Sequence, residues 1–433
     1  MIIKYGKQRI EIPLNKEKPK VIEPDIDPCL NDPKQSLLDA LNHPAGSVPL
    51  CEHITPGSTI AILLPDMTRK AGIRELLPTL LSYLNKHGAD RNRITFITAL
   101  GIHRRMTRPE MAATYGEIIS GYTCVNHQAH DPTALTHLGK TSRGTPIEIN
   151  RIAAESDRII SLSRTSFHYN AGAGGGRKMF LPGIASARAC MANHRLVLTG
   201  KPYPEEWRDP RACTNRLQGN PVHEDMLEFI AAVPVPIFSI SILPAPGNGF
   251  LDITAGDIRE AHNQSVTALR SNFEYKLSSA FDTVIASCGG YPYDIDMIQS
   301  HKGLDAAVRA AKKGGTVILF TECSGGMGHD DFFPWFSPDG LGPMTDRLNQ
   351  DYKIYGQTAC AVREKAEKCT IYIKTELSND NVRAMGMNPF QNITDLPQGL
   401  FTKKTAVLPH ASILAVTAVN GLNAVKSGDG SEE

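Results

Sequence analysis

Short apolar runs of strand length alternate with helical segments along most of this chain. Residues 58–65 form one such run, and Arg93 to Gly101 form the next. Between them, residues 73–87 carry apolar side chains at helical spacing and close with a basic last turn followed by Gly88. Because strands joined through a helix usually pair in parallel, this alternation predicts an α/β fold with parallel-rich sheets.

The alternation resumes in the second half of the chain. Residues 281–290 read as a strand entering a glycine turn, residues 298–313 as a helix, and residues 314–322 as the next strand. With 433 residues the chain is too long for one ordinary hydrophobic core, so we predict two α/β domains. Ligands of parallel sheets bind at the carboxyl ends of strands, and we expect the active site in the cleft between the domains. The predicted segments are an N-terminal domain at 1–268, a C-terminal domain at 269–425 and a disordered tail at 426–433.

The charge balance and the cysteines limit the partners of this protein. Lysines and arginines number 46 against 45 acidic residues, which argues against nucleic acid or an anionic membrane as a partner. The nine cysteines form no CxxC pair, so neither a zinc knuckle nor a redox dithiol is indicated. Their odd number in a long chain, and the absence of a signal-like or membrane-spanning apolar run, lead us to expect a cytoplasmic protein.

A glycine-dense turn at residues 172–178 is flanked by two histidines, His168 and His194. Glycines let a backbone approach a phosphate closely, and Lys178 inside the turn is suited to bind that phosphate or to become covalently attached to a ligand. Met179 stands where a Walker loop needs a hydroxyl, and the dinucleotide pattern GxGxxG also fails. The residues alone leave phosphate contact and a tight structural turn equally open. The two histidines offer a metal ligand and an acid/base group.

Three other places carry polar groups near predicted strand ends. Asp66 and Arg69 follow the first strand, as a helix cap with a local ion pair or as a clamp for a carboxylate. His103 lies in a strand-to-helix loop, just before a capping box. Gln299 and Lys302 lie on one face of the first turn of a predicted helix. They either face solvent or bind a carboxylate together.

In their order and spacing, these segments resemble the catalytic subunit of nickel-dependent lactate racemase and its homologues. The resemblance extends from around Asn42 to near the C-terminal tail, and ten residues separate His168 from Lys178, with sixteen more to His194. The motifs that carry it are Asp66-Met-Thr-Arg69, Ala99-Leu-Gly-Ile-His103-Arg, His168-Tyr with Gly174-Gly-Gly-Arg-Lys178, Asn193-His194, Gly289-Gly-Tyr-Pro and Gln299-Ser-His-Lys302-Gly.

This resemblance implies a nickel pincer cofactor, a pyridinium mononucleotide with two thiocarbonyl-type arms. Lys178 corresponds to the lysine that bonds covalently to one arm, and His194 to the histidine that completes nickel coordination beside sulfur, carbon and sulfur, a set that suits square-planar nickel. His103 and His168 correspond to the paired acid/base histidines. The remaining correspondences are Arg69, Gln299 and Lys302 for substrate binding, and Asp66, Thr68, Gly174, Gly175 and Gly176 for cofactor binding.

The implied activity is racemisation or epimerisation of a 2-hydroxy acid at C2. Removing the α-proton would place a carbanion beside a carboxylate, whereas a hydride route avoids that charge. One histidine takes the hydroxyl proton while hydride leaves C2, and the transient 2-keto acid reorients and accepts hydride on its other face. Two histidines are needed because each enantiomer presents its hydroxyl on a different side. The implied partners are a small 2-hydroxy acid and the enzymes that mature the cofactor; the oligomeric state stays open.

Two positions depart from the lactate enzymes. Ile298 stands where they carry tyrosine, and Arg105 where they usually carry proline. A longer 2-hydroxy acid, a sugar acid or a malate-like dicarboxylate therefore remains open beside lactate, since Arg105 offers a partner for a second carboxylate. Two other readings compete: a nicotinamide-type dehydrogenase, disfavoured by the missing GxGxxG, and a non-catalytic protein that binds an anion or a phosphorylated ligand. A non-catalytic binding protein would not need His103, His168 and His194 together.

Overall fold

The computed structural model describes residues 1–12, 19–69, 71–400 and 404–418. Their contacts divide the chain into two compact units. The central unit comprises residues 26–201 and 205–272, and the terminal unit comprises residues 1–25, 202–204 and the chain from 273 onward. The predicted tail at 426–433 lies outside the described residues.

This grouping differs from a single break after residue 268 in the placement of the N-terminal segment. The first 25 residues belong with the C-terminal part of the chain. The physical reason is backbone pairing, because the short strand Lys20–Val21 adds to the terminal unit's sheet beside Thr405–Leu408. A sequence read in order carries no signal for a pairing between segments so far apart.

The central unit is built on a six-stranded sheet in which only one edge strand is antiparallel. In spatial order its strands are Phe250–Gly256 (the antiparallel edge), Ile237–Pro244, Arg158–Arg164, Ile60–Pro65, Ile94–Ala99 and Thr123–Asn126. Its helices are Pro33–Asn42, Ile73–Lys86, Arg108–Tyr115, Arg151–Glu155, Ala187–Arg195, Pro221–Ala231 and Ile258–Phe273. Two small antiparallel ladders pair Ser166–His168 with Gly172–Gly174 and Leu135–Lys140 with Pro146–Asn150.

The terminal unit has a second six-stranded sheet, and its pairings are all parallel. Its strands, in spatial order, are Asn388–Pro389, Thr370–Lys374, Ala311–Phe320, Phe281–Ser287, Thr405–Leu408 and Lys20–Val21. Its helices are Met297–Ala310, Leu341–Gln350, Ile354–Lys368 and Asn379–Ala384. Ile2–Tyr5 pairs with Gln8–Glu11, and Glu274–Leu277 pairs with Ala415–Ala418. The predicted α/β class with parallel-rich sheets is confirmed.

The strand Ile60–Pro65 shows why the central sheet forms where it does. All six of its side chains are buried, as expected of a central parallel strand with both faces covered. Alternate residues point to opposite faces, so Ile62 packs in one core cluster with the helix Ile73–Lys86, while Leu63 packs in another with Phe180. The second cluster holds the segment that carries the glycine turn, which fixes that turn against the sheet.

In the part of the chain that the structure describes, no helix combines the length and the apolar character that a membrane crossing requires.

Candidate active site

Three neighbouring strands of the central sheet end beside one another. Asp66 follows Ile60–Pro65, His103 follows Ile94–Ala99, and the glycine turn comes after Arg158–Arg164. Because these strands are adjacent and parallel, their carboxyl ends meet at one edge of the sheet. Side-chain contacts there join groups that are far apart in the sequence, as the sequence pattern predicts.

Asp66 holds His103 by one ring nitrogen. The His103 Nδ1–H donates to Asp66 Oδ2 at 2.7 Å, and the Thr68 backbone N–H and hydroxyl donate to the other carboxylate oxygen. Burial raises the pKa of Asp66, but His103, Arg69 and Thr68 together outweigh it and lower that pKa to about 2. The His103 side chain is 42% exposed, so its other nitrogen is within reach of a ligand. The pairing of Asp66 with His103 was not predicted, although both residues were chosen from the sequence.

His168 is held differently. It lies on the half-buried ladder Ser166–His168, and its Nδ1 accepts the backbone N–H groups of Asn170 at 3.2 Å and Ala171 at 3.1 Å. Its ring stacks on that of Tyr169, with 5.3 Å between centroids. The following backbone therefore fixes which ring nitrogen of His168 carries a proton in the neutral form.

The glycines of the turn are required by protein packing. Gly175 and Gly176 have φ values of +85° and +50°, which favour glycine. A Cβ on Gly175 would lie 2.8 Å from the Arg164 carbonyl oxygen, and one on Gly176 would lie 2.8 Å from the His262 ring. Gly174 is buried in the strand Gly172–Gly174. These contacts support the reading of a tight structural turn, and phosphate contact stays a prediction.

Lys178 lies in the single 3₁₀ turn Gly176–Met179 that follows the glycines. Burial, with Arg177 and Arg69 adding positive charge nearby, lowers the pKa of its ammonium to about 7. Arg177 is fully buried and donates to the carbonyl oxygens of Ala171 and Ala173 and to a ring nitrogen of His262. Within the described ranges no carboxylate pairs with Arg177 or Lys178, so the pocket around this amine is positive.

His194 lies in the last turn of the helix Ala187–Arg195 and is buried. Its Nδ1 contacts the carbonyl oxygen of Cys190 at 2.9 Å, which assigns the ring proton to Nδ1 and leaves the Nε2 lone pair for a ligand. Burial and the positive charge of Lys178 lower the pKa of His194 to about 3. The neutral imidazole is the form that binds a metal.

Asn193 anchors that helix through a carboxylate that the sequence gave no reason to choose. Its side-chain amide donates to Asp225 at 2.8 Å and to the Val222 carbonyl oxygen at 3.1 Å. Asp225 is fully buried and also accepts the hydroxyls of Thr141 and Thr145. Because Asp225 lies within an ordinary amphipathic helix, no local pattern marks it.

Gln299 and Lys302 belong to the terminal unit, in the first turns of the helix Met297–Ala310. The Lys302 ammonium donates to the Gln299 side-chain oxygen at 2.9 Å, so the predicted shared face is confirmed. The helix is capped by Asp296, whose carboxylate accepts the Gln299 backbone N–H. Among the described residues, no group of three or more His, Cys, Asp or Glu side chains is arranged to hold a metal ion.

The fold and the site define an α/β enzyme with a half-buried lysine amine and several histidines near one edge of a parallel sheet. Two family profiles match the chain: Lactate racemase N-terminal domain over residues 5–204 and Lactate racemase C-terminal domain over residues 277–396. The chain belongs to the lactate racemase family, and it is an isomerase. The family resemblance drawn from the motifs is confirmed.

Two curated relatives and two solved structures give the extent of the similarity. The lactate racemase of Thermoanaerobacterium thermosaccharolyticum is 32% identical over 298 residues, covering 69% of this chain and 67% of its own. That of Lactiplantibacillus plantarum is 32% identical over 305 residues, covering 69% and 68%. The lactate racemase apoprotein structure from T. thermosaccharolyticum superposes with a TM-score of 0.86 at 26% identity, covering 96% of this chain and 99% of that one. A Thermotoga maritima protein, with a TM-score of 0.65 at 16% identity over 89% of this chain and 98% of that one, shares the fold.

Proposed function

We propose that this protein inverts C2 of a 2-hydroxy acid, with lactate as the first candidate substrate, and that a nickel pincer nucleotide tethered to Lys178 serves the reaction. The observation that carries the proposal is the half-buried amine of Lys178, with its pKa lowered to about 7, beside a neutral, metal-competent His194. The names of the two relatives favour lactate.

The residues present fit such a group. Forming a covalent bond to a thiocarbonyl-type arm requires a neutral amine, which a pKa of about 7 supplies near neutral pH. Arg69 and Arg177 make the surroundings positive, which suits an anionic nucleotide. His194 would bind nickel through Nε2, because its Nδ1 is already occupied. When bound, the cofactor supplies an acceptor and donor for hydride.

The protein's own groups supply binding and proton transfer. Arg69 is exposed beside Asp66, and we assign it to the substrate carboxylate, a role that Gln299 and Lys302 share in this proposal. His103 receives the hydroxyl proton at Nε2, and the ionised Asp66 stabilises the imidazolium that forms. His168 is the second imidazole, facing the substrate oxygen when the opposite enantiomer is bound or formed.

One observation favours a dicarboxylic substrate as a second candidate. Arg104 is held by both carboxylate oxygens of Glu110, at 2.9 and 2.6 Å, whereas Arg105 is exposed and has no ion pair among the described residues. The guanidinium of Arg105, two residues from His103, is therefore available to a second carboxylate. If Arg105 binds the second carboxylate of the substrate, Arg105→Pro raises KM for malate far more than for lactate.

The test is the intact mass and the nickel content of the protein made alongside the cofactor-maturation enzymes. We expect an adduct and about one nickel per chain, both lost in Lys178→Ala and kept in a surface variant, Lys86→Ala. A panel of chiral 2-hydroxy acids, including lactate, malate and a sugar acid, then identifies the substrate. The proposal is refuted if this chain stays unmodified and nickel-free in cells that load a known lactate racemase with the cofactor in parallel. That result would favour a non-catalytic protein that binds an anion.

A further inference from the structure

His103 and His168 differ in the hydrogen-bond partner of Nδ1, which is an acceptor at His103 and a pair of donors at His168. At His103, Nδ1 faces the Asp66 carboxylate at 2.7 Å. An ionised carboxylate only accepts hydrogen bonds, so Nδ1 must carry the proton and the neutral ring has its lone pair on Nε2. Asp66 is 4% exposed and also accepts two hydrogen bonds from Thr68, which keeps it in place.

At His168, Nδ1 faces two backbone N–H groups, those of Asn170 and Ala171. A backbone N–H only donates, so this Nδ1 must accept and the neutral ring carries its proton on Nε2. Protonating Nδ1 would set its N–H against both donors and break both of these hydrogen bonds.

The donors at His168 are themselves fixed. Asn170 and Ala171 are fully buried. The Asn170 carbonyl oxygen accepts the Asn220 side-chain amide at 2.8 Å, and the Ala171 carbonyl oxygen accepts Arg177 at 2.8 Å. The peptide group that carries the Ala171 N–H is therefore held by Asn220, and the peptide group after it is held by Arg177.

We infer that the two histidines are preset in opposite tautomers: the neutral His103 carries its proton on Nδ1 and has a lone pair on Nε2 that accepts the substrate's hydroxyl proton, whereas the neutral His168 carries its proton on Nε2 and acts as a donor. This inference rests on the proposed function for its substrate and on the hydrogen bonds above for the tautomers. His103 gains a proton without losing a contact, whereas His168 accepts one only if its ring turns or its backbone yields. The two enantiomers thus meet unequal groups, and Asn220 is a positioning residue.

The difference between His103 and His168 has a kinetic consequence. Racemisation has an equilibrium constant of one, so kcat/KM must be equal for the two enantiomers. Unequal histidines therefore appear as a difference in kcat that is matched by an equal difference in KM.

The test is ¹⁵N NMR of the imidazole nitrogens in the cofactor-free protein, assigned with His103→Gln and His168→Gln. We expect Nδ1–H at His103 and Nε2–H at His168, the latter favoured at least about tenfold because two donors depend on its Nδ1. The same tautomer at both residues, or a protonated His168 at neutral pH, overturns the inference. Because no cofactor is needed, this result is independent of the nickel and mass measurements that test the proposed function.

Asn220→Asp isolates the positioning step. Asn220 caps the helix Pro221–Ala231 through its side-chain oxygen, which aspartate also supplies, but aspartate lacks the amide that holds the Asn170 carbonyl. We expect the Nε2–H preference of His168 to fall severalfold while His103 is unchanged. Asn150→Asp is the matched control, because Asn150 caps the helix Arg151–Glu155 in the same way and its amide contacts His127 instead. An unchanged His168 in Asn220→Asp, or an equal effect in Asn150→Asp, contradicts the role given to Asn220.

Discussion

The amine of Lys178 is the group in this site whose predicted chemistry is most directly measurable. Burial and neighbouring arginines lower its pKa from 10.5 to about 7. At pH 7 about half of the Lys178 side chains are then neutral, against roughly one in 3,000 for a lysine with an ordinary pKa. The neutral fraction, which is the nucleophilic one, is thus raised about 1,500-fold.

The assay is the rate at which a small acylating reagent labels Lys178 in the cofactor-free protein, read by peptide mass between pH 5 and 10. We expect half-maximal labelling near pH 7, well below that of exposed lysines, and none of that peptide's label in Lys178→Met. In Arg69→Gln the midpoint moves upward, because one nearby positive charge is gone. A wild-type midpoint above pH 9 refutes the desolvation argument.

The same shift makes a prediction about stability. The folded protein binds fewer protons than the unfolded chain between pH 7 and 10.5, so this group makes the free energy of unfolding rise with pH across that window. At about 1.4 kcal/mol per pKa unit, the cost of holding the charged ammonium below pH 7 is at most about 5 kcal/mol. Lys178→Met should therefore be more stable than the wild type at pH 6 in urea unfolding, with the difference shrinking toward pH 10. If Lys178→Met is less stable than the wild type at pH 6, the predicted cost of burying the ammonium is contradicted.

Two further predictions concern Asp66 and Gly183. Asp66, with a pKa lowered from 3.8 to about 2, stabilises the fold fully above pH 4 and loses that contribution, about 2 kcal/mol, as the pH falls toward 2; in Asp66→Asn, urea unfolding should lack this acid-dependent component, and an identical pH profile would count against it. Gly183→Ala should cost about 1–3 kcal/mol in thermal unfolding because its Cβ would lie 2.2 Å from the backbone oxygen of Met179. Gly121→Ala should cost less, since its Cβ meets the end of the flexible Arg91 side chain at 1.2 Å, which can move away; equal losses would contradict the distinction.

Much of the scaffold was predictable from local pattern. The predicted helix at 73–87 is Ile73–Lys86, with buried residues on one face, and the capping box at Thr107 begins the helix Arg108–Tyr115. These elements follow from side-chain periodicity and from capping groups adjacent in the chain. The helix expected at 298–313 ends earlier, at Ala310, because Ala311 already pairs with the neighbouring strand.

The sequence was enough to nominate the candidate residues, but it did not predict their hydrogen-bond partners or their pKa values. The order and spacing of the motifs selected His103, His168, Lys178 and His194. The chemistry of each residue depends on contacts between residues that are far apart in the chain. One example is the hydrogen bond between Arg177 and His262, which lie 85 positions apart.

The sequence by itself determined the α/β class, the family and the residues to examine, because periodicity and motif spacing are local properties of a chain. Only the tertiary structure decided that Asp66 pairs with His103, that the backbone after His168 sets its tautomer, and that the Lys178 amine is desolvated. It also decided that the first 25 residues join the C-terminal segment. Proton positions and pKa values depend on the charges and dipoles that folding brings within a few ångströms, and chain order does not specify these.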